Sequence, residues 1–222
     1  MKKSKLGIFL LLTCVQALWA QSPKTDVREV AARIDARYNG MRSLRADFTE
    51  IYSGGGVRRS ESGTLWIKKP GKMRWEYASP EKKIFVTDGA TAWFYVPGER
   101  QARRTSLKKL DDLRSPLRYL LGRSKLEKEL RGLSLAPDVH PETAGDVVLR
   151  GMPLGMEERI SQVLLESDAQ GFLRRIVMEE LDGSRTEFRL ENQQENIAVS
   201  DAAFSFQPPA GVEVLQSDQL QP

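Results

Sequence analysis

His140 is the only histidine of the 222-residue chain and sits between Val139 and Pro141 in a loop-like stretch. Ser-His-Asp, H-E-x-x-H and histidine-metal sites are excluded on that ground. Ser106-Leu107-Lys108-Lys109 spells S-x-x-K, the nucleophile pattern of penicillin-binding enzymes, but neither S-D-N nor K-T-G accompanies it. The acidic pairs Asp111-Asp112, Glu157-Glu158 and Glu179-Glu180 could serve acid–base chemistry, yet neighbouring carboxylates on a strand point to opposite faces. Gly54-Gly55-Gly56 is followed by no Gly-Lys-Ser/Thr and no helix start, so it reads as a hairpin tip and not a phosphate cradle. These residues predict no catalytic centre, no metal and no cofactor.

The informative side chains are apolar. Gly63 to Tyr95 holds Trp66, Trp75 and Trp93, and within it Met73, Trp75 and Tyr77 alternate with Arg74 and Glu76. That period of two is the mark of a strand with one apolar and one solvated face. Pro70-Gly71, Ser79-Pro80 and Asp88-Gly89 punctuate the run at hairpin spacing, which predicts an antiparallel meander. Upstream, Val27, Val30, Ala31, Ile34, Tyr38 and Met41 recur at helical spacing up to Asn39-Gly40, and Ser22-Pro23 offers a helix start. Leu44 to Tyr52 follows as a first strand, with Leu44, Ala46 and Phe48 on one face. Ser115, Pro116, Leu117, Leu120, Leu121 and Gly122 spell a short capped helix with an apolar edge.

Later strands are expected over 146–150, 160–166, 172–181, 184–191 and 203–207, with Asp182-Gly183 as the clearest hairpin turn. The tail beyond Val214 reads as frayed. Arg100, Arg103, Arg104, Lys108 and Lys109 form a basic run, either a solvated face or a docking patch for an acidic partner.

Residues 1–20 have the layout of a signal peptide, with Lys2, Lys3 and Lys5, then apolar Leu6 to Val15, then Ala20. The expected mature unit is residues 21–222, one domain in the periplasm. Cys14, the only cysteine, falls in this leader, so no thiol would remain. Leu11-Leu12-Thr13-Cys14 distantly resembles a lipobox, although Thr before the cysteine fits that pattern poorly. The chain carries 34 Lys and Arg against 30 Asp and Glu, and 31 against 30 without the three leader lysines, so nucleic acid is not an expected partner.

On these residues alone, the apolar face is either a closed core or the lining of an incompletely filled half-barrel. The run L-W-I-K-K-P-G-K-M-R-W-E-Y from Leu65, followed by Pro80 and V-T-D-G-A-T-A-W-F-Y from Val86, resembles the outer-membrane lipoprotein carrier family, LolA. Phe48, the Ser115-Pro116 to Leu121 segment and the ending F-S-F-Q-P-P-A-G-V-E-V from Phe204 resemble that family as well, whereas 136–155 matches it poorly.

The resemblance implies an α+β single domain: a curved antiparallel β half-barrel with a helical lid over a hydrophobic cavity. It implies a monomeric periplasmic chaperone, not an enzyme. Its cargo would be acylated lipoproteins, taken from an inner-membrane ABC-type lipoprotein release complex and delivered to an outer-membrane lipoprotein acceptor. Alternatives on the same fold are the lipidated acceptor itself or a periplasmic sensor of lipids or peptides. Three acyl chains with about 45 CH₂ groups at ~0.8 kcal/mol each require a sheltered site, because no exposed patch offsets about 36 kcal/mol.

Strand parity then assigns the lipid-binding cavity to Met73, Trp75, Ile84, Val86, Trp93, Tyr95, Ile176, Met178 and Phe188, with lid contacts from Ile34, Tyr38, Leu117 and Leu120. Where the family has a lid-latching arginine before the proline, this chain has Lys69, which keeps the charge but not the rigid donor fork. Met73 stands where the family has an aromatic cavity residue.

Overall fold

A computed structural model describes residues 25–106, 120 and 125–217. The predicted signal peptide with Cys14, the Ser22-Pro23 helix start, Leu117 and most of the short helix around it lie outside the described residues.

Helix α1 spans Val27–Gly40, and the side chain of its N-cap Asp26 accepts a bond from the Arg28 N–H at 2.8 Å. Val30, Ala31, Ile34 and Tyr38 fall on one stripe of this helix, and all four are buried. Each Val or Ile so buried is worth roughly 1.5–3 kcal/mol relative to exposure, so the stripe fixes the helix against the sheet. At its end, the Met41 N–H closes the last turn on the Arg37 carbonyl.

The strands are β1 (Ser43–Gly54), β2 (Val57–Lys68), β3 (Lys72–Ser79), β4 (Lys83–Asp88), β5 (Thr91–Tyr95) and β6 (Gln101–Ser106). After the one-turn helix α2 (Leu126–Glu129) come β7 (Leu130–Leu135), β8 (Val147–Pro153), β9 (Ile160–Ser167), β10 (Leu173–Glu180), β11 (Arg185–Glu195) and β12 (Glu213–Gln216). They form one twelve-stranded sheet in the order β12-β6-β5-β4-β3-β2-β1-β11-β10-β9-β8-β7. Two consecutive meanders are joined edge to edge where β1 pairs with β11, and the sheet does not close into a barrel. All pairs are antiparallel except β12 on β6.

Two strands lie where the sequence pattern marked none, and two expectations change. Arg103 and Arg104 of the basic run lie exposed on a strand, β6, while Lys108 and Lys109 lie outside the described residues, and Leu130–Leu135 is an edge strand that the sequence pattern does not announce. Residues 203–207 are not a strand: a 3₁₀ turn at Asp201–Phe204 leads into irregular chain, and Phe204 and Phe206 turn inward onto the outer face of the sheet without pairing to any strand. The tail stays paired through Gln216, beyond the point where it was expected to fray.

Each face of the sheet has its own cover. The inner face carries α1 and one large apolar cluster that runs from Phe85 and Ala92 on the β4–β5 side to Leu130 and Leu149 on the other. On the outer face, residues 199–206 lie across β2–β5, tied by Lys68 and Lys72 to Asp201 at 2.6 and 2.7 Å and by Arg74 to the Ala203 carbonyl at 3.1 Å. Those two lysines pull the Asp201 carboxyl down to about 2. Across β8–β11, the 136–146 loop covers Val148, Leu164 and Val177.

Candidate functional site

Directly paired residues of antiparallel strands share a face. One row therefore crosses the inner face through Leu65, Trp75, Phe85 and Phe94 on β2 to β5. A second runs through Phe188, Ile176, Leu165 and Leu149 on β11 to β8. Where the halves meet, the Phe48 ring lies edge-on to Trp75 at 4.5 Å and to Tyr77 at 4.9 Å, and Phe188 meets Trp75 at 5.8 Å. Trp75 is fully buried, and its indole N–H points to the Met73 sulfur at 2.6 Å. The surface is thus a continuous field of aromatic, Leu, Ile and Met side chains, a composition that moulds to irregular apolar shapes.

The structure brings Met73, Trp75, Ile176, Met178 and Phe188 together on this inner face, with Ile34 and Tyr38 of α1 and Leu120 packed in the same cluster. It places Ile84, Val86, Trp93 and Tyr95 on the opposite, outer face. Val86 pairs with Arg74 and Trp93, and Ile84 with Glu76 and Tyr95. The expectation that these four share a face with Met73 and Trp75 is corrected.

The physical reason is that Ile84-Phe85-Val86 and Trp93-Phe94-Tyr95 are apolar on both sides, so no alternation marks the phase. The outer side is apolar because Phe206 covers it, with ring centroids 5.5 Å from Trp93 and 5.6 Å from Tyr95. The inner-face residues missed by that reading are Phe85 and Phe94. The pairing of Phe85 with Trp75 would have found them had the Ser79–Lys82 turn length been known.

Polar contacts hold α1 at the lower end of this face. Lys69 donates to the carbonyls of Tyr38 and, at 3.3 Å, Asn39, the last acceptors of the helix. A cation there offsets the negative end of the helix dipole, while partial burial lowers the pKa of the ammonium. The Tyr38 hydroxyl accepts the Leu173 N–H at 3.0 Å and donates to Gln193 Oε1 at 2.9 Å, and Gln193 in turn donates to the Leu173 carbonyl at 2.7 Å. Burial pushes this phenol well above its ordinary pKa. Arg37 stacks 3.9 Å over Phe172 and bonds the Gln170 carbonyl and Glu195, at 2.7 and 2.8 Å. Beneath the helix, a Cβ on Gly171 would lie 2.8 Å from the Arg33 carbonyl, and its φ of +85° also favours glycine.

The upper end is polar in a different way. Tyr77 donates to Glu50 at 2.7 Å, and Lys83 pairs with Glu61 at 2.6 Å while lying 4.3 Å over the Tyr77 ring. Glu50 sits cross-strand from Glu61 and from Phe188. Burial raises its carboxyl above the usual range, against the bond from Tyr77 and the field of Lys83.

No helix among the described residues is long and apolar enough to cross a membrane. A family model for the outer membrane lipoprotein carrier protein LolA matches residues 39–207. Among solved structures, the chain is similar to an uncharacterized conserved protein from Thermus thermophilus, with 13% identity, coverage of 86% of this chain and 98% of that one, and a TM-score of 0.56. A crystal structure of MucB matches at 17% identity over 88% and 68% of the two chains, TM-score 0.50. A LolA superfamily protein from Nitrosomonas europaea matches at 12% identity over 82% and 98%, TM-score 0.44.

Proposed function

The chain belongs to the outer membrane lipoprotein carrier family, LolA, and from that premise we propose that it is a periplasmic chaperone whose inner face shelters the acyl chains of lipoproteins. It takes acylated lipoproteins released from the inner membrane by an ABC-type complex and hands them to an outer-membrane acceptor, acting as a monomer without chemistry of its own. The observation that carries this reading is the inner face itself: a continuous aromatic and aliphatic field from Phe94 to Leu149, covered among the described residues by α1 with Leu120 and Leu126 and by no second sheet. A helix held by one apolar stripe, with polar contacts at its C-terminal end, is a cover that acyl chains can displace by replacing the stripe's apolar contacts in kind, whereas a facing sheet with its own hydrogen-bonded ladder is not.

In this reading Met73, Trp75, Ile176, Met178 and Phe188 contact the chains, Phe85 and Phe94 join them, and Lys69 is the latch on α1. Ile84, Val86, Trp93 and Tyr95 have no contact with cargo. The test is a release assay. Purified protein is added to spheroplasts synthesising a labelled outer-membrane lipoprotein, and the supernatant is examined for a soluble one-to-one complex. The expected result is release that a Met73→Glu substitution abolishes and Trp93→Ala leaves in place. A folded protein that releases nothing from its cognate membranes would refute the carrier role.

A further inference from the structure

Among the described residues, the large hydrophobic side chains exposed to solvent are Val57, Leu154, Leu181 and Val214, at 52%, 45%, 63% and 40%. Three of them lie at hairpin tips. Val57 opens β2 directly after the Gly54–Gly56 tip, Leu154 begins the turn from β8 to β9, and Leu181 begins the turn from β10 to β11. In the strand order β2-β1-β11-β10-β9-β8 these are three successive hairpins. The pairings Gly54↔Val57, Ser53↔Arg185 and Glu180↔Ile160 put all three tips on one rim. That rim is opposite the end where Ser43 pairs with Lys68 and Lys69 holds α1. At two strand spacings per hairpin, neighbouring tips are about 10 Å apart.

Isolated exposed leucines need no explanation, but these are grouped and firmly presented. The Leu154 N–H is bonded to the Glu129 carbonyl and the Leu181 N–H to the Arg159 carbonyl, each at 2.9 Å, so two of the three turns are braced from behind. Nothing in a turn requires an apolar side chain at these positions.

Charge around the tips is mixed. Arg58 and Arg59 follow Val57, both exposed and without an ion pair among the described residues, and Arg59 lies 5.0 Å over the Tyr52 ring. Arg159 is paired with Glu180, and Arg185 with Glu187. Glu157, Glu158 and Asp182 add carboxylates to the other two tips.

We propose that this rim is a lipid-contact edge, with Val57, Leu154 and Leu181 entering the interfacial layer of a bilayer while Arg58 and Arg59 stay at headgroup level. Separate convex points suit a fluid apolar medium, which admits single side chains at any spacing. A folded protein partner would instead need a pocket for each tip. Arginines beside an apolar tip keep their charge in the headgroup region while their stems lie along apolar matter. The inference deepens the carrier reading and rests on it for its purpose, since a carrier must come against the membrane it loads from or delivers to. Its test needs no cargo.

Flotation of purified, cargo-free protein with vesicles of phosphatidylethanolamine and phosphatidylglycerol should show a vesicle-bound fraction. The V57S/L154S/L181S triple variant should lower it by about fivefold or more. Val214→Ser, at a strand position on the β12 edge, should leave it unchanged. Because all these sites are exposed, circular dichroism should match the parent. A Leu181→Trp variant should show blue-shifted emission quenched by brominated lipid. Absence of vesicle binding, emission from that variant's new indole that brominated lipid fails to quench, or an equal loss from Val214→Ser would overturn the proposal. Vesicle binding together with failed lipoprotein release would sink the carrier reading and keep the rim; release without vesicle binding would sink the rim alone.

Discussion

The two faces of the sheet solve the same burial problem by opposite means. The inner face buries aromatic and aliphatic side chains against one another and under α1, with few charges. The outer face is stitched by ions. Glu166, 1% exposed, meets Arg175 at 2.7 Å, and Glu187, 2% exposed, is held at 2.6 Å by both Arg185 and Arg189. Ion pairs demand fixed geometry, whereas apolar contacts are non-directional and can be exchanged for others. A face that must accept guests is better built the second way, and the difference teaches which side of the sheet is free to change.

The contrast can be broken by substitution. Trp75→Ala should be the most damaging single change, removing a fully buried ring with three aromatic neighbours. The expected loss is about 3–5 kcal/mol in urea unfolding. A loss below about 1 kcal/mol would mean that the inner face closes over the gap. On the outer face, Arg175→Ala leaves Glu166 buried with the Glu142 and Thr143 N–H groups but no paired cation. It should cost about 3 kcal/mol, and Glu166→Gln in the same chain should recover part of it. Tyr38→Phe leaves the buried Leu173 N–H without its acceptor and should cost about 1–3 kcal/mol by the same measurement.

The smallest effect is the most discriminating, because Glu50 on the inner face and Glu187 on the outer one should answer pH with opposite signs. For Glu50, burial raises the folded pKa above the ordinary 4.5. The native state therefore holds the proton in the window above 4.5, and this group's contribution grows as pH falls through it. For Glu187, burial acts upward, but the bond from Arg189 and the fields of Arg185 and Arg175 outweigh it and hold the folded pKa below 4.5. Its contribution is present above 4.5 and is lost as pH falls through the folded value. Unfolding free energies between pH 3 and 7 should show Glu50→Gln removing a gain on acidification and Glu187→Gln removing a loss. Effects of the same sign would erase the distinction between these two sites.

Much of this was legible in the sequence wherever a strand has one wet side. Met73, Trp75 and Tyr77 show their phase because Arg74 and Glu76 stand between them, and the stripe of α1 shows its face for the same reason. Legibility failed where both sides are dry. Ile84-Phe85-Val86 and Trp93-Phe94-Tyr95 have no polar residue alternating with their apolar ones, since Phe206 and the 199–206 segment cover the outer side. That cover comes from more than a hundred residues downstream, beyond the reach of any local pattern. β6 was hidden for the converse reason: among Gln101, Ala102, Arg103, Arg104, Thr105 and Ser106, only Ala102 and Thr105 are buried, too few to set a period.

The central claim is that acyl chains lie on the inner face, and adjacent residues Phe94 and Trp93 test it directly. Both are partly buried, and they point to opposite sides of β5. A photo-crosslinking phenylalanine analogue at each position, irradiated with the released lipoprotein bound, should label the cargo from position 94 and not from position 93. Labelling from 93 alone would place the chains on the outer face and contradict the account.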